Sequence, residues 1–201
     1  MKSPYTSRVI KDLEDSREVF TRALADPDFV ASVARAAEIV NGALQAGRKI
    51  LLAGNGGSAA DAQHLATELM VRFRVDRAPL AAIALTTDTS ALTAIGNDLG
   101  FEQLFARQVL ALGQAGDVFL GFSTSGRSPN VLAACKAAQE RGMTVIGFTG
   151  TKGKVMDELC HLLIHVPSDN TAFIQQVHIA AGHIVCGIVE DELVAGAKAV
   201  T

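Results

Sequence analysis

Five short apolar runs, each followed by a loop and a helical stretch, constrain this chain more than any other feature. They are "KILLA" (49–53), "LAAIAL" (80–85), "DVFLGF" (117–122), "TVIGF" (144–148) and "HLLIHV" (161–166). Each is continuous instead of alternating, the pattern of parallel strands covered on both faces. Helical periodicity fills the intervals: about 58–73, 89–110 with a glycine break, 128–141, a short piece near 153–158, and 170–195. This order predicts an α/β fold, a doubly wound five-stranded parallel sheet of flavodoxin-like strand order.

Two helices precede the sheet. Val9, Ile10, Leu13, Phe20 and Leu24 recur at helical spacing until "ADPD" breaks them. Asp26 then reads as an N-cap with Pro27 at the first helical position, and Gly47 as the stop of the second helix. Residues 1–47 are expected to pack as a helical pair on the α/β core, within one domain spanning 1–201. The final stretch, "NTAFIQQVHIAAGHIVCGIVEDELVAGA", is apolar around Ile179, Ile184, Val185 and Ile188 on nearly every side. Such a helix is buried, either at a subunit interface or beneath the N-terminal pair of its own chain.

Composition narrows the function classes. Hydrophobic residues make up 49% and charged residues 19%, which excludes a disordered chain. A net charge of -3 with no basic run argues against a nucleic-acid partner. Cys135, Cys160 and Cys186 have no CxxC spacing and read as free thiols in a reducing cytoplasm. The charged start does not read as a signal peptide, and no uninterrupted apolar run reaches the ~18 residues of a bilayer span. A cytoplasmic protein is expected.

In such folds ligands bind beyond the carboxyl ends of the strands. Two loops there carry the chemistry: "GNGGS" (54–58) after the first run and "STSGRSPN" (123–130) after the third. Both open helices, and their free N–H groups, hydroxyls and positive helix ends suit a phosphate dianion. Ser128 would be an N-cap with Pro129 behind it. A Gly/Ser turn without a ligand is the plain alternative for either loop alone. "GNGGSA" also matches G-x-G-x-x-A, but the acidic residue of a dinucleotide site about 20 positions on is missing. Neither loop ends in G-K-[ST], which argues against an NTPase. Two lysine-free hydroxyl loops fit a sugar phosphate better than a nucleotide.

His64 and Glu68, four residues apart, project from one helical face, with Asp61 a turn earlier. In isolation they would be ordinary helix decoration. Their helix, however, starts at the ligand loop. The last helix adds Gln175, His178 and His183. His178 and His183 point in different directions. Gln175 and His183 lie about 80° apart around the axis and about 12 Å apart along it, so sharing one metal requires them to lean together. A buried glutamine and histidine each need a partner, whether metal, polar ligand or neighbouring subunit. His161 and His165 read as structural or surface residues.

The segments "GNGGSAADAQHLATEL", "GNDLGFEQLF", "FSTSGRSPNV" and "IQQVHIAAGHIV", in that order, closely resemble the sugar isomerase (SIS) domain family. Within it they resemble the phosphoheptose isomerase, or sedoheptulose 7-phosphate isomerase, group. The resemblance spans about residues 30–195. It implies a cytoplasmic homotetramer with active sites at subunit interfaces. The implied reaction converts sedoheptulose 7-phosphate to D-glycero-D-manno-heptopyranose 7-phosphate, for lipopolysaccharide or capsule. It also implies substrate contacts at Asn55, Gly56, Gly57, Ser58, Asn97, Asp98, Ser123, Thr124, Ser125, Ser128 and Gln175. The implied zinc ligands are His64, Glu68, Gln175 and His183.

An aldose–ketose isomerase moves a proton between adjacent carbons through an enediolate and must stabilise charge on oxygen. Glu68 is the expected base and His183 the group acting at the oxygens. A carboxylate bound tightly to zinc is a poorer base, so the two roles of Glu68 compete. The alternative is a non-enzymatic tetramer of the same family that associates with the replication initiator. Phe173 and Gln176 leave it open, because they stand where the family pattern reads Arg and Glu. His64, Glu68 and His183 weigh against it.

Overall fold

The computed structural model describes residues 3–199; residues 1, 2, 200 and 201 of the expected 1–201 unit lie outside it. Helices α1 (Thr6–Ala25) and α2 (Pro27–Gln45) lead into β1 (Ile50–Gly54) and α3 (Gly57–Met70). β2 (Ala82–Ala84), α4 (Thr89–Asp98) and α5 (Ala106–Leu112) follow, with a 3-10 turn between the two helices at Phe101–Gln103. The chain continues through β3 (Val118–Phe122), α6 (Pro129–Glu140), β4 (Thr144–Gly150) and β5 (Leu162–Val166) to α7 (Thr171–Ala199). A second 3-10 turn, Lys154–Met156, occupies the short piece expected near 153–158.

All pairings are parallel, and the strand order is β2-β1-β3-β4-β5. The five apolar runs become the five strands, and the expected order is observed. In that order the direction in which strands are added reverses between β1 and β3, the switch point at which sheets of this kind bind their ligands. Gly54 of β1 lies beside Phe122 of β3, so the two ligand loops leave the sheet side by side.

One sheet face packs on α2, α3 and α7 through Val40, Leu65, Leu69, Val185 and Val189. The other packs on α5 and α6 through Phe105, Val109, Ala134 and Met143. Asp26 caps α2, its carboxylate accepting from the N–H groups of Asp28 and Phe29. Gly47 ends α2 at φ 70°, donating to Leu44 O while Arg48 donates to Ala43 O, the paired closure of a Schellman motif.

The apolar stripe of α1 does not do what its periodicity suggests. α1 buries Val19 and Ala23, whereas Val9, Ile10, Leu13, Phe20 and Leu24 stay exposed, Leu24 at 79%. Beside them Ile184 and Ile188 of α7 are also exposed. The N-terminal pair therefore covers the last helix only in part. α2 and α1 cover some of it, and an apolar groove of about 500 Å³ between α1, α2 and α7 remains open.

The stretch Thr171–Ala195 of α7 is long and apolar enough to cross a bilayer, although its apolar run is interrupted. Half of its most apolar window is buried within the protein. It also carries His178 and Glu190, both buried, and packs along α2 and α3 as a core helix.

Candidate active site at the β1/β3 crevice

The β1 loop turns through Gly56, whose φ of 56° and ψ of -122° suit a residue without a side chain. Gly57 opens α3 and must also be bare. A Cβ there would stand 2.5 Å from Nε2 of Gln175, so the α7 carboxamide rests directly on the loop backbone. Ser58 is buried beneath the first turn of α3.

The β3 loop is pinned to β4. Ser123 N donates to Phe148 O, and Gly150 N donates to Thr124 O. Ser123 and Ser128 share a hydroxyl–hydroxyl bond of 2.9 Å, so Ser128 begins α6 as expected but spends its hydroxyl on Ser123 rather than on the helix N–H groups. Ser125 accepts from Arg127 N, and Gly126 turns at φ 64° over Thr149. The loops are tied to each other through Asn55 and Asn130, whose amides exchange two bonds of 2.8 Å. Asn130 is buried and was not singled out in the sequence, because nothing there marks an amide whose partner stands 75 residues away.

Along α3, His64 lies seven residues beyond Gly57, about 10 Å of helix rise. His64, Glu68 and His183 each place a ligand atom within 4.8 Å of the others. Nε2 of His64 is 2.9 Å from Nε2 of His183 and 3.2 Å from Oε1 of Glu68. Two imidazole nitrogens and a carboxylate oxygen are a donor set that zinc takes, with one tetrahedral position left over. Two nitrogens on one tetrahedral zinc stand about 3.3 Å apart, so the pair needs to open by only a few tenths of an ångström. Burial, and then the neighbouring His64, lower the His183 pKa, with Glu68 opposing them. His183 is therefore a neutral imidazole at pH 7, the form that binds metal or takes up a proton.

The remaining expected residues fall as follows. Gln175 sits at the loop, against Gly57, and the trio consists of the other three expected ligands. Asn97 and Asp98 end α4, exposed, with Asn97 Nδ2 donating to Asp98 Oδ1 at 2.7 Å. Asp61 was noted on the His64 face without a role. Its Oδ2 is buried with no hydrogen-bond partner among the described residues, and desolvation raises its pKa to about 6 against the opposing pull of His64.

Phe173 and Gln176 face α1 rather than the loops. Phe173 packs among Val19, Val166 and Val177, and Gln176 accepts from Ser16 of α1. The departure from the family pattern thus repacks the α1–α7 seam. His161 accepts from Val145 N, His165 pairs with Asp157, and the three cysteines are free.

A model described as the SIS domain matches residues 14–150. The chain belongs to the SIS domain family. Within the family it is 52% identical to the phosphoheptose isomerase of Burkholderia pseudomallei (strain 1710b) over 96% of this chain and 98% of that protein. It is likewise 52% identical to the phosphoheptose isomerase of Bradyrhizobium sp. (strain ORS 278), over 98% of this chain and all of that protein. Among solved structures, the phosphoheptose isomerase of Neisseria gonorrhoeae superposes with a TM-score of 0.85 at 46% identity, covering 92% of this chain and 98% of that one. The corresponding structure from Francisella tularensis gives 0.88 at 37% identity, over 94% and 100%. The SIS fold therefore carries the crevice, the two loops and the trio in one chain.

Proposed function

We propose that this SIS domain chain is a sedoheptulose 7-phosphate isomerase. It converts that ketose phosphate into D-glycero-D-manno-heptopyranose 7-phosphate and so opens heptose supply for lipopolysaccharide or capsule. The observation that carries the reading is the placement of the His64–Glu68–His183 trio, with His64 about two helical turns along α3 from the β1 loop, beside which the hydroxyl-rich β3 loop leaves the sheet. The spacing suits a substrate with its phosphate in the loops and its reacting carbons at the trio. Near-full-length relatives named phosphoheptose isomerase support it.

The β1 and β3 loops hold the phosphate and the sugar hydroxyls through Asn55 to Ser58 and Ser123 to Ser128. Glu68 removes the proton from C1; its electron pair becomes the second C1–C2 bond and charge collects on O2. His183 carries a proton from O1 to O2, and Glu68 returns its proton at C2, which leaves the aldose. General acid–base groups of this kind contribute about 10²–10⁴-fold each. Zinc is the proposed metal, held by His64, Glu68 and His183 with Gln175 as the fourth ligand that the family resemblance assigns. When bound it supplies a Lewis acid that polarises the substrate oxygens.

The proposed assembly is a cytoplasmic homotetramer with active sites at the subunit contacts. Its support is the uncovered apolar face of α1 and α7, and the exposure of Asn97 and Asp98, which leaves both free to reach a neighbouring site. Phe173 and Gln176, which kept the initiator-binding alternative open, pack against α1, and the near-full-length relatives named phosphoheptose isomerase give that alternative no support.

The test is incubation with sedoheptulose 7-phosphate under zinc-replete and chelated conditions, followed by phosphorus NMR. A new heptose phosphate resonance appears with zinc and is lost with chelator. No product under zinc-replete conditions overturns the reading.

A further inference from the structure

The segment after α3 is held by an unusual device. Glu190, on α7 two turns beyond His183, is buried yet ionised. Its Oε1 accepts from Phe73 N at 3.0 Å, and its Oε2 accepts from Arg74 N at 2.7 Å and Val75 N at 3.2 Å. Arg77, also buried, places Nε 3.3 Å from Oε1 of Glu190. The same guanidinium donates to the carbonyls of Glu68 and Leu69, both at 2.8 Å, so it grips the last turn of α3 where Glu68 sits. Burial works to raise the Glu190 pKa, but the three N–H groups and Arg77 outweigh it and hold it low.

The purpose of this arrangement shows in Phe73. Its ring stacks on His183, with centroids 5.4 Å apart and planes 29° apart. The guanidinium of Arg74 lies over the Phe73 ring, 5.2 Å from the centroid, and donates to Asp191 and to Gly187 O. Gly187 permits the approach: a Cβ there would stand 2.9 Å from Arg74 and 3.3 Å from the Phe73 ring. His64 meets His183 edge-on, with centroids 5.0 Å apart. Histidines that bind metal are commonly oriented by a hydrogen bond to the second ring nitrogen. Among the described residues the His183 ring makes one hydrogen bond, through Nε2 to His64, so stacking fixes its plane.

We propose that the buried Glu190–Arg77 pair is a positioning device for the acid/base centre, shaping residues 73–77 so that Phe73 lies flat on His183 while Arg77 secures the turn that carries Glu68. The inference rests on the isomerase reading. Replacing a buried ion pair by apolar residues of similar volume is often neutral for stability, but here it would leave Phe73 N, Arg74 N and Val75 N without their acceptor and release the shape of the segment. Three N–H donors converging on two oxygens do need a carboxylate. Phe73, Arg77 and Glu190 are positioning residues here, for none of them is required to touch substrate.

Phe73→Leu tests this without disturbing the buried pair. In the zinc-loaded protein kcat falls about 10–100-fold, and zinc affinity measured by chelator competition weakens by a similar factor. KM for the sugar phosphate stays close to that of the parent protein, because the loops that hold the phosphate are untouched. Phe73→Tyr, which keeps the ring, restores both quantities. Glu190→Gln shows the same loss with a lowered thermal midpoint; should it fail to fold, Phe73→Leu carries the test alone. A folded Phe73→Leu with parental kcat and zinc affinity overturns the proposal, and so does a rise in KM alone, which would make Phe73 a substrate contact. If the unsubstituted protein forms no heptose phosphate, the isomerase reading fails, and the zinc-affinity arm still decides the positioning role.

Discussion

Asn55 and Asn130 show how much of the site depends on single side chains. Their amides exchange one bond in each direction, which ties the two loops proposed to hold the phosphate to each other at a fixed spacing. Asn130→Leu leaves the Asn55 amide without its partner and costs about 1–3 kcal/mol, read from the denaturation midpoint. Its kinetic mark is a raised KM with kcat nearly constant, since the loops bind ground state and transition state alike. Asp61 offers the opposite sign. Its folded pKa is raised by burial to about 6, so the native state binds a proton more tightly than the unfolded chain, and stability falls as pH rises from about 4 to 6. Asp61→Asn is therefore expected to raise the thermal midpoint at pH 8 and to lose that advantage by pH 4. An unchanged midpoint at pH 8 would show that the carboxyl is not penalised.

At the scale of elements, most of the fold was legible because β1 and β3 are buried throughout and apolar, and the other strands carry few polar residues to blur the pattern. The caps at Asp26 and Gly47 were equally legible, since each depends on its own backbone. The end of α3 was not. Periodicity carries the helix to residue 73, but it stops at Met70 because Glu190 claims the next N–H groups from the far end of the chain. The same limit applies to the trio: spacing pairs His64 with Glu68, while His183 arrives only through the packing of α7 on α3. At the opposite end of the strands, buried Asp117 joins the starts of β1 and β3, accepting from Lys49 N, Lys49 Nζ and Gln114 N. Burial opposes its ionisation, yet these donors hold its pKa below the usual range. Its contribution is therefore present above the unfolded value of 3.8 and lost as pH falls through the lower folded value. Asp117→Asn is expected to cost about 2–3 kcal/mol at pH 7 while the folded protein keeps its kcat, because the change lies a strand's length from the crevice. A fall in kcat at constant stability would contradict that separation.

For the whole molecule, the arrangement of α1, α2 and α7 has to be explained together. A helix that turns Leu13, Phe20 and Leu24 outward gains nothing from their spacing unless another surface meets them. Ile184 lies 52% exposed in the same groove, one residue beyond His183, so whatever covers the groove also closes against the catalytic helix. If a second copy seats there, assembly and chemistry are coupled, because it would bury the apolar face and stiffen α7 at the trio. Leu24→Asp is the discriminating substitution, because Leu24 is 79% exposed within the chain and its loss costs the isolated fold little. In a tetramer the new carboxylate is desolvated without a partner. Light scattering is then expected to show species smaller than the parent, with an intact circular dichroism spectrum and a loss of turnover that tracks dissociation on dilution. A Leu24→Asp protein of unchanged mass and unchanged turnover would mean that α1 is not the assembly face, and that the groove is covered by something other than a second copy of this chain.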